Sequence, residues 1–478
     1  MEIEKTIDYF ENVAFHPSLD IKNGILVLGF RIKPQIDKEE KIFLVINQKG
    51  EVQKIKEDSF EFGGKTFYID SKNKKIAKLP QKWGVEDFNK TYQNLTSEWK
   101  PLVKQNEVFN KLKELLKSYI DLAECDYTLL SAWVMGTYFF PIFSAYPYLH
   151  IKAPKGSGKT QCLSFLNQTC FNAVKARASL PAMRDTVNSL RGTFLMDQAD
   201  TLHGKNNGEL LDILTDSYKR GGGEQRKMIQ DKGKDWNVQE FQTYSPKAFA
   251  SILVLPEDLR DRCLLFALTK SKKNFQPLDE ENQVWKEMRG DLYKLLISYF
   301  TDVSLQYELR GAEYRQNPIL RGRQLELWLP LEVMMTIAGV SEDEQEKAKA
   351  KFTAQYEYTE SQTSELEKCV IETVIKLMGD KPDIILSPKD IADKISHEIF
   401  ESTDGNLSDK QKAVKIGWKI DKYNLSSKKL SRNSKGQRYL FTKAQVQKVA
   451  DGYLPTKTED EHTPVYTELE GLENLDGF

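Results

Sequence analysis

Eight residues near the first third of the chain have the types and spacing of a phosphate-binding loop. They run from Ala153 to Thr160 and read Ala-Pro-Lys-Gly-Ser-Gly-Lys-Thr, after an apolar run at 148–151 and before a helical pattern at 161–170. Glycines let backbone N–H groups point at phosphate oxygens, the lysine brings charge to the β- and γ-phosphates, and the threonine hydroxyl can ligate Mg²⁺. Ala153 stands where the usual pattern has Gly. The motif predicts ATP and Mg²⁺ as cofactors, bound by Pro154, Lys155, Gly156, Ser157, Gly158, Lys159, Thr160 and Gln161.

A Mg²⁺ ion at such a loop needs a second ligand, normally a carboxylate that ends an apolar strand beside the strand preceding the loop. The run Thr193–Asp197 has this pattern, so Thr160 and Asp197 are the predicted metal ligands. Gln198 follows, where most such ATPases have Glu as the base that activates water. An amide can hold water but cannot take its proton, and loss of a general base typically slows a reaction by about 10²–10⁴.

Asp200 is near enough in the sequence to replace that base, but its position two residues further along the turn predicts that its carboxylate points elsewhere. A Glu-to-Gln change at this position is also a common engineered trap for the ATP-bound state. The glutamine is therefore either natural or deliberate, and both origins predict nucleotide binding with impaired hydrolysis.

The composition limits the class of protein. With 478 residues the chain suits two to four domains, and its formal net charge of −1 means that any nucleic-acid surface must come from local clustering. Five dispersed cysteines without a CxxC pair predict buried thiols in a reducing cytosol. The N-terminus is unlike a signal peptide and no apolar run approaches about 18 residues, so we expect a soluble, cytoplasmic protein without membrane contact.

Strand and helix patterns around the loop indicate how these residues are positioned. Short apolar runs within residues 1–85 predict a small β-rich domain. Helical periodicity at 106–120 and 127–140 predicts two helices that form a lid leading into the core. From there to about residue 270, alternating strands and helices predict a parallel sheet with helices on both faces. Residues 281–345 have helical patterns, so the nucleotide-binding domain with its helical lid is placed at 100–345.

A third domain is predicted at residues 355–455, after the charged stretch 341–351, which is interpreted as a surface helix or linker. Ser387 and Ser408 each begin a helix with an N-cap pattern, and two strand-like stretches then flank a turn at 433–436. Two helices and a hairpin predict a winged helix.

Basic residues are concentrated in this third domain. Ten Lys or Arg and one acid, Asp421, lie between positions 410 and 438, which would suit the phosphates of duplex DNA. A solvated lysine-rich surface is the alternative. The acidic tail, residues 456–478, is predicted to be disordered. The candidate duplex contacts are Lys428, Lys429, Arg432 and Arg438.

Five motifs in a fixed order resemble the AAA+ domain of helicases. Besides the phosphate-binding loop, they are Leu-Met-Asp-Gln-Ala-Asp-Thr-Leu at 195–202, Tyr-Ser-Pro-Lys-Ala-Phe-Ala-Ser at 244–251, Leu-Pro-Glu-Asp-Leu-Arg-Asp-Arg at 255–262 and Arg-Gly-Arg-Gln-Leu-Glu at 321–326. The chain most resembles the helicase and primase-helicase proteins of plasmids, phages and other mobile elements, which are related to the minichromosome maintenance (MCM) replicative helicases.

The resemblance covers about residues 105–340 and implies a homo-oligomeric, hexameric ring on DNA. With the flanking patterns, the predicted fold class is an α/β AAA+ P-loop ATPase core with a helical lid, between a small β-rich N-terminal domain and a C-terminal winged helix.

The resemblance also implies roles for single residues. Ser251 would be the polar sensor at the end of its strand, and Arg262 would be the finger that reaches the γ-phosphate held by the neighbouring subunit, a contact worth about 10³–10⁵ in rate. Arg323 would be the second sensor, contacting ATP from the helical lid. The alternatives are Arg260 as the finger, Arg321 as the sensor, and ion pairs of the arginines at 260 and 262 with Asp258 and Asp261.

Residues 226–238 form two strand-like arms around a Lys-Gly-Lys tip, between the Mg²⁺ strand and the sensor strand. This placement resembles the hairpin that lines the central pore of MCM-like helicases. Lys232 and Lys234 would then grip the phosphates of single-stranded DNA in the pore without reading its sequence. An ordinary surface hairpin with a charged tip is the alternative.

These observations favour a ring-forming, ATP-driven DNA helicase or translocase that serves replication of a mobile element. The second hypothesis is an ATP-switched DNA-binding initiator or helicase loader, in which ATP assembles the ring, Gln198 keeps it assembled and no unwinding occurs. A defence or protein-remodelling ATPase without a DNA role is disfavoured by the basic third domain and the hairpin.

Overall fold

The computed structural model describes residues 14–35, 38–70, 83–97, 99–176, 179–204, 207–223, 225–230, 236–271, 273, 275, 277–396, 399–400, 407–433 and 436–453. The predictions for Lys232, Lys234 and the tail 456–478 lie outside this part of the chain. The chain divides into two compact units, with the boundary between residues 356 and 357.

The first unit begins with a four-stranded antiparallel sheet and a two-stranded hairpin. The strands are β1 (Leu19–Lys22), β2 (Ile25–Gln35), β3 (Lys38–Asn47), β4 (Val52–Ile55), β5 (Ser59–Phe62) and β6 (Lys65–Tyr68). The sheet order is β1-β2-β3-β4, and β5 pairs with β6. Leu26 and Leu28 join the main core of the unit, while Ile25 and Val27 pack with the hairpin, because successive side chains of a strand point to opposite faces. The N-terminal sheet therefore shares a core with the elements that follow.

Those elements begin with three helices, continue as a mixture of strands and helices, and end with three helices. They are α1 (Val85–Ser97), α2 (Gln105–Lys117), α3 (Glu124–Phe139), β7 (Tyr148–Lys152), α4 (Lys159–Thr169), β8 (Val174–Ala176), α5 (Leu180–Leu190), β9 (Phe194–Met196), α6 (Gly208–Asp216), β10 (Gln225–Gln230), β11 (Trp236–Phe241), β12 (Lys247–Ser251), α7 (Glu257–Arg260), β13 (Cys263–Ala267), α8 (Gln283–Gln316), α9 (Gly322–Ile337) and α10 (Glu342–Met378).

The two helices predicted before the phosphate-binding loop are confirmed as α2 and α3, but α3 is not a lid. Its residues from Asp126 to Phe139 are all buried, and the ring nitrogen of Trp133 donates a hydrogen bond to the carbonyl of Pro147 at 2.7 Å, just before β7. A helix that is apolar on all sides belongs in the interior. The helix therefore supports the strand that carries the loop.

Five parallel strands form the central sheet, in the order β13-β7-β12-β9-β8. The predicted parallel sheet is thus confirmed. One expectation about it is wrong, because β12 separates β9 from β7, whereas Asp197 was expected on the strand next to the loop's own. All five residues of β12 are buried. The alternation of strands and helices along a sequence specifies parallel pairing but leaves the order of the strands open.

The helices α8 and α9 and the first part of α10 complete the first unit, as the helical pattern at 281–345 predicts. Residues 342–351 lie inside α10, so this stretch is helical. Ala348 and Phe352 anchor this helix in the core. No helix in the described ranges is both long and apolar enough to cross a membrane.

The second unit has its own core and a three-stranded antiparallel sheet. After the end of α10 come β14 (Asp383–Leu386), α11 (Pro388–Ala392), α12 (Asp409–Lys422), β15 (Lys428–Asn433), β16 (Gly436–Thr442) and α13 (Lys443–Tyr453), and the sheet order is β14-β16-β15. Ser387 and Ser408 precede α11 and α12 in capping boxes with Asp390 and Gln411. The helix starts predicted from these serines are confirmed.

Candidate functional site

The phosphate-binding loop lies at the carboxyl ends of the parallel strands, between β7 and α4. Gly156 and Gly158 have φ values of 81° and 86°, in the left-handed region that other residues rarely adopt. No heavy atom lies within 4 Å of the place where a Cβ on either glycine would stand. The loop is therefore open at both glycines, directly before the N-terminus of α4, where free N–H groups attract anions.

Lys159 and Ser157 bring polar side chains to this opening. The ammonium group of Lys159 donates hydrogen bonds to the carbonyl oxygens of Ala153 and Pro154, the second at 2.9 Å. The hydroxyl oxygen of Ser157 is buried and has no hydrogen-bond partner among the described residues. Because an unpaired buried hydroxyl is costly, a phosphate oxygen would stabilise it. Both observations fit the triphosphate of ATP.

The predicted Mg²⁺ ligands approach the loop from different elements. Thr160 is exposed on the first turn of α4, and Asp197 follows β9, two strand spacings or about 10 Å from β7. Oδ1 of Asp197 accepts the N–H of Gln198 at 2.9 Å, and Oδ2 lies 3.5 Å from the ammonium of Lys175. Two protein oxygens leave most of an octahedral Mg²⁺ shell to phosphate and water.

Gln198 and Asp200 have different surroundings after Asp197. Gln198 is exposed, with φ 57° and ψ 44° in the left-handed region, at the start of the short 3₁₀ helix Ala199–His203. The carboxylate of Asp200 accepts the backbone N–H groups of Ile252, at 3.0 and 3.1 Å, and of Leu253, at 2.7 Å. Asp200 thus holds the segment that follows β12, which leaves it poorly placed to replace the missing base.

Ser251 ends β12 and contacts a histidine that the sequence motifs did not single out. Its hydroxyl donates to the carbonyl of Leu253 at 2.6 Å, so its oxygen accepts a hydrogen bond from Nε2 of His150, at 2.8 Å. Nδ1 of His150 is buried without a partner among the described residues. Burial, together with the positive charges of Lys152 and Arg260, lowers the pKa of His150 to about 4.

The imidazole of His150 is therefore neutral at pH 7 and connects β7 with β12. A signal for it exists in the sequence, since a histidine interrupts the apolar run immediately before the phosphate-binding loop. The pairing with Ser251, 101 positions away, could not be read from that signal.

Arg262 lies at the amino ends of the parallel strands, whereas the phosphate-binding loop lies at their carboxyl ends. Its carbonyl accepts the N–H of Tyr148 at 2.9 Å, at the start of β7, whereas the loop begins after the last residue of that strand. Five residues at about 3.3 Å each separate the two levels by roughly 17 Å. Arg262 is only 8% exposed, and one terminal nitrogen of its side chain donates to the carbonyl of Asp258.

Arg323, the proposed second sensor, lies in the same cluster. Its Nη1 forms an ion pair with Oδ2 of Asp261 at 3.2 Å. The guanidinium groups of Arg262 and Arg323 lie 5.3 and 5.9 Å from the ring centroid of Tyr218. Burial raises the pKa of Asp261 in spite of these positive neighbours. Neither arginine is near the phosphate-binding loop of its own chain.

These contacts differ from the sequence alternative, in which the arginines at 260 and 262 form ion pairs with Asp258 and Asp261. Arg262 contacts the backbone carbonyl of Asp258, and the carboxylate of Asp261 contacts Arg323. Three polar atoms in this cluster, the Nε atoms of Arg260, Arg262 and Arg323, are buried without a partner among the described residues. The cluster therefore retains donors that an anion could use.

The candidate DNA contacts are distributed over two hairpins. In the first unit β10 and β11 pair antiparallel from Gln225↔Phe241 to Gln230↔Trp236, so the predicted arms are confirmed, and Lys232 and Lys234 belong to the tip outside the described residues. In the second unit β15 pairs with β16.

The four basic residues of β15 and β16 do not act as one group. Lys429 forms an ion pair with Asp421 at 2.7 Å and lies over the ring of Tyr439. Lys428 and Arg438 point to the other face of the hairpin, because the register pairs Lys428 with Leu440 and Leu430 with Arg438. Arg432 is exposed near the end of β15.

Neither a family model nor a curated protein sequence matches this chain. Among solved structures, the apo form of the NrS-1 C-terminal region is 12% identical, with 88% of this chain and 96% of that chain covered and a TM-score of 0.31. JCV helicase is 11% identical, over 61% and 75% of the two chains, with a TM-score of 0.20. Drosophila ORC bound to DNA is 12% identical, over 74% and 93%, with a TM-score of 0.18. Scores this low do not establish a common fold.

Proposed function

We propose that this chain is an ATP-driven DNA helicase or translocase of the AAA+ type, which works as a hexameric ring in the replication of a mobile element. The observation that best supports a ring is the distance between the two halves of the site. The phosphate-binding loop and Asp197 lie at the carboxyl ends of the parallel strands. Arg262 and Arg323 lie at the amino ends, roughly 17 Å away.

An arginine side chain cannot span that distance within one chain. If the amino ends of the strands of a second copy packed against the carboxyl ends of the strands of the first, Arg262 and Arg323 of the second copy would reach the γ-phosphate bound by the first. Positive charge at that place stabilises the transition state of phosphoryl transfer. Because Arg262 is mostly buried and the Arg323 side chain is 37% exposed, Arg323 is the more accessible of the two.

The DNA contacts follow from the same arrangement. The β10–β11 hairpin precedes β12 and extends from the amino ends of the strands. In a ring, its tip with Lys232 and Lys234 would face single-stranded DNA in the pore. We assign α8 and α9 as the helical lid. The second unit, with its order of helix, strand, two helices, two strands and a final helix, is the winged helix that contacts duplex DNA through Lys428, Arg432 and Arg438.

Gln198 and Asp200 favour a second candidate, an ATP-switched initiator or loader. Gln198 has no proton-accepting group, and the Asp200 carboxylate is occupied by the N–H groups of Ile252 and Leu253. A chain with this site would bind ATP and close the ring without hydrolysing the nucleotide rapidly.

The Gln198→Glu variant separates the two candidates. The helicase proposal expects DNA-stimulated ATP hydrolysis and strand separation on a forked substrate, with Gln198→Ala as the matched control that stays slow. Absence of hydrolysis in Gln198→Glu, with ATP binding retained, would overturn the helicase and support the switch.

A further inference from the structure

A cavity of about 190 Å³ lies at the base of the β10–β11 hairpin. It is at the amino ends of the parallel strands, opposite the phosphate-binding loop. Its wall contains residues 220–222, which lead into the hairpin, and residues 242–244, which lead out of it. Lys22 from β1 and Arg191, which precedes β9, line the remaining sides. The cavity therefore touches the N-terminal sheet, the segment between α5 and β9, and both stems of the hairpin.

The charge of this cavity is predominantly positive. Three cations, Lys22, Arg191 and Arg220, face one carboxylate, Asp20. Asp20 is already engaged, because Oδ1 lies 2.9 Å from Nη1 of Arg191 and Oδ2 lies 3.2 Å from the ammonium of Lys22. Burial favours a raised pKa for Asp20, but Arg191 and Lys22 hold it well below its usual range.

Arg220 is the cation that this carboxylate does not neutralise. Its side chain donates one hydrogen bond, from Nη2 to the carbonyl of Phe143 at 3.3 Å, and no acidic group lies within ion-pair distance of it in the described ranges. Burial lowers the pKa of Lys22, the Asp20 carboxylate opposes this shift, and the charges of Arg191 and Arg220 lower the pKa further, so the cations repel one another across the cavity. An anion placed between them would relieve this repulsion.

The wall also offers hydrogen-bonding groups and little steric obstruction. Gln242 accepts a hydrogen bond from Nη2 of Arg191 at 2.6 Å, which orients that guanidinium. Gly221 has φ 76°, and no heavy atom lies within 4 Å of its Cβ position. A glycine there lets an anion approach the backbone closely.

We infer that this cavity binds a phosphate group, and that the phosphate belongs to the backbone of single-stranded DNA following the hairpin. The anion site rests on the residues that line the cavity, whereas DNA as the source of the phosphate rests on the proposed function. Planar guanidinium groups bind phosphate through paired N–H donors. Because both stems of the hairpin line the wall, occupation of the cavity restrains the hairpin at its base.

Arg220 is suited to the test, since its substitution removes only one protein hydrogen bond. We compare the full-length protein with Arg220→Gln, with the charge-conserving Arg220→Lys, and with Arg315→Gln, a matched control at an exposed arginine in the last turn of α8. Thermal unfolding of all four proteins verifies that they fold.

Two probes distinguish the source of the phosphate. The first is a fluorescent oligothymidylate, whose Kd is measured over a range of salt concentrations. Arg220→Gln is expected to reduce the slope of log K against log salt by about 0.7 for one lost single-strand phosphate contact, whereas Arg220→Lys and Arg315→Gln keep the parental slope. The second is inorganic phosphate, titrated calorimetrically into proteins that also carry Lys159→Ala, so that the phosphate-binding loop does not contribute. In this background Arg220→Gln should abolish phosphate binding.

A parental slope in Arg220→Gln, with phosphate binding lost, would overturn DNA as the source. A parental slope with unchanged phosphate binding would overturn the site itself. If the parent does not bind oligothymidylate at all, the proposed DNA function fails, and the phosphate titration alone then decides whether the cavity binds anions.

Discussion

The imidazole of His150 donates a hydrogen bond to the hydroxyl of Ser251 at 2.8 Å, between the strand that leads into the phosphate-binding loop and the strand that ends at the proposed sensor. The hydroxyl proton of Ser251 is directed to the carbonyl of Leu253. The Ser251 hydroxyl can therefore accept one further hydrogen bond but has no proton free to donate to a phosphate or a water. A change at either residue should affect stability as well as activity.

Because of His150, we expect the free energy of unfolding to decrease as the pH is lowered. Its pKa decreases from 6.5 to about 4 on folding, so between these values the unfolded chain binds more protons and the free energy of unfolding decreases as the pH falls. The full difference amounts to about 3 kcal/mol. The variant His150→Gln, measured by denaturant unfolding from pH 7 to pH 4, should lose much of this dependence. His203→Gln, at an exposed histidine, should keep it, and an identical pH profile for the parent and His150→Gln would contradict the assignment.

The Lys159→Ala variant should abolish ATP binding, because the lysine charge compensates the β- and γ-phosphates. A fluorescent ATP analogue measures the affinity, and Lys65→Ala, at an exposed lysine of β6 outside the loop, is the control for removing one lysine charge. Parental affinity in Lys159→Ala would contradict the phosphate-binding role of the loop.

A mixture of two inactive variants tests the shared site. In the Gln198→Glu background, Arg262→Ala and Lys159→Ala should each be inactive in ATP hydrolysis. Arg262→Ala should reduce the hydrolysis rate by about 10³–10⁵, because it removes charge stabilisation in the transition state. Mixed rings contain interfaces with an intact loop from one subunit and an intact arginine from the other. Activity should therefore reappear on mixing, and Arg323→Ala should complement in the same way. Rates that remain at the sum of the two inactive proteins would contradict a site between subunits.

The Asp200→Ala variant should free the segment after Ser251. The carboxylate accepts N–H groups from Ile252 and Leu253, and loss of hydrogen bonds to a charged group typically costs about 1.5–3 kcal/mol. Hydrogen exchange at these two amides should accelerate and thermal stability should fall, while Asp212→Ala, an exposed carboxylate on α6, should behave as the parent. Unchanged exchange with lost hydrolysis in the Gln198→Glu background would instead assign Asp200 as a base.

The basic residues of the second unit should differ in their contribution to duplex binding. Lys428→Ala with Arg438→Ala should reduce the salt dependence by about 0.9 for each lost phosphate contact. Lys429→Ala should change it less, because its charge is already paired with Asp421 at 2.7 Å. A salt titration with a short duplex measures both variants, and a parental slope in the double variant would assign this surface to another partner.

Local patterns sufficed where a feature depends on neighbours in the chain. The loop from Ala153 to Thr160, the capping boxes at Ser387 and Ser408, and the arms of the β10–β11 hairpin were all predicted, because backbone conformation and capping are set within a few residues. The acidic residue at the end of β9 was predicted for the same reason. Gln198 was recognised as a departure because a motif specifies which residue type belongs at each position.

Residue contacts between distant parts of the chain were decided only by the tertiary structure. Four features join residues that are far apart in sequence. They are the strand order that places β12 between β7 and β9, the hydrogen bond from His150 to Ser251, the hydrogen bonds of the Ile252 and Leu253 amides to Asp200, and the placement of Arg262 and Arg323 around one tyrosine ring. Helical and strand periodicity specifies which face of an element is buried, but not which other element covers it. The sequence by itself thus determined the motif of the proposed phosphate-binding loop, and folding decided which side chains surround this loop and which lie at the opposite, amino ends of the strands.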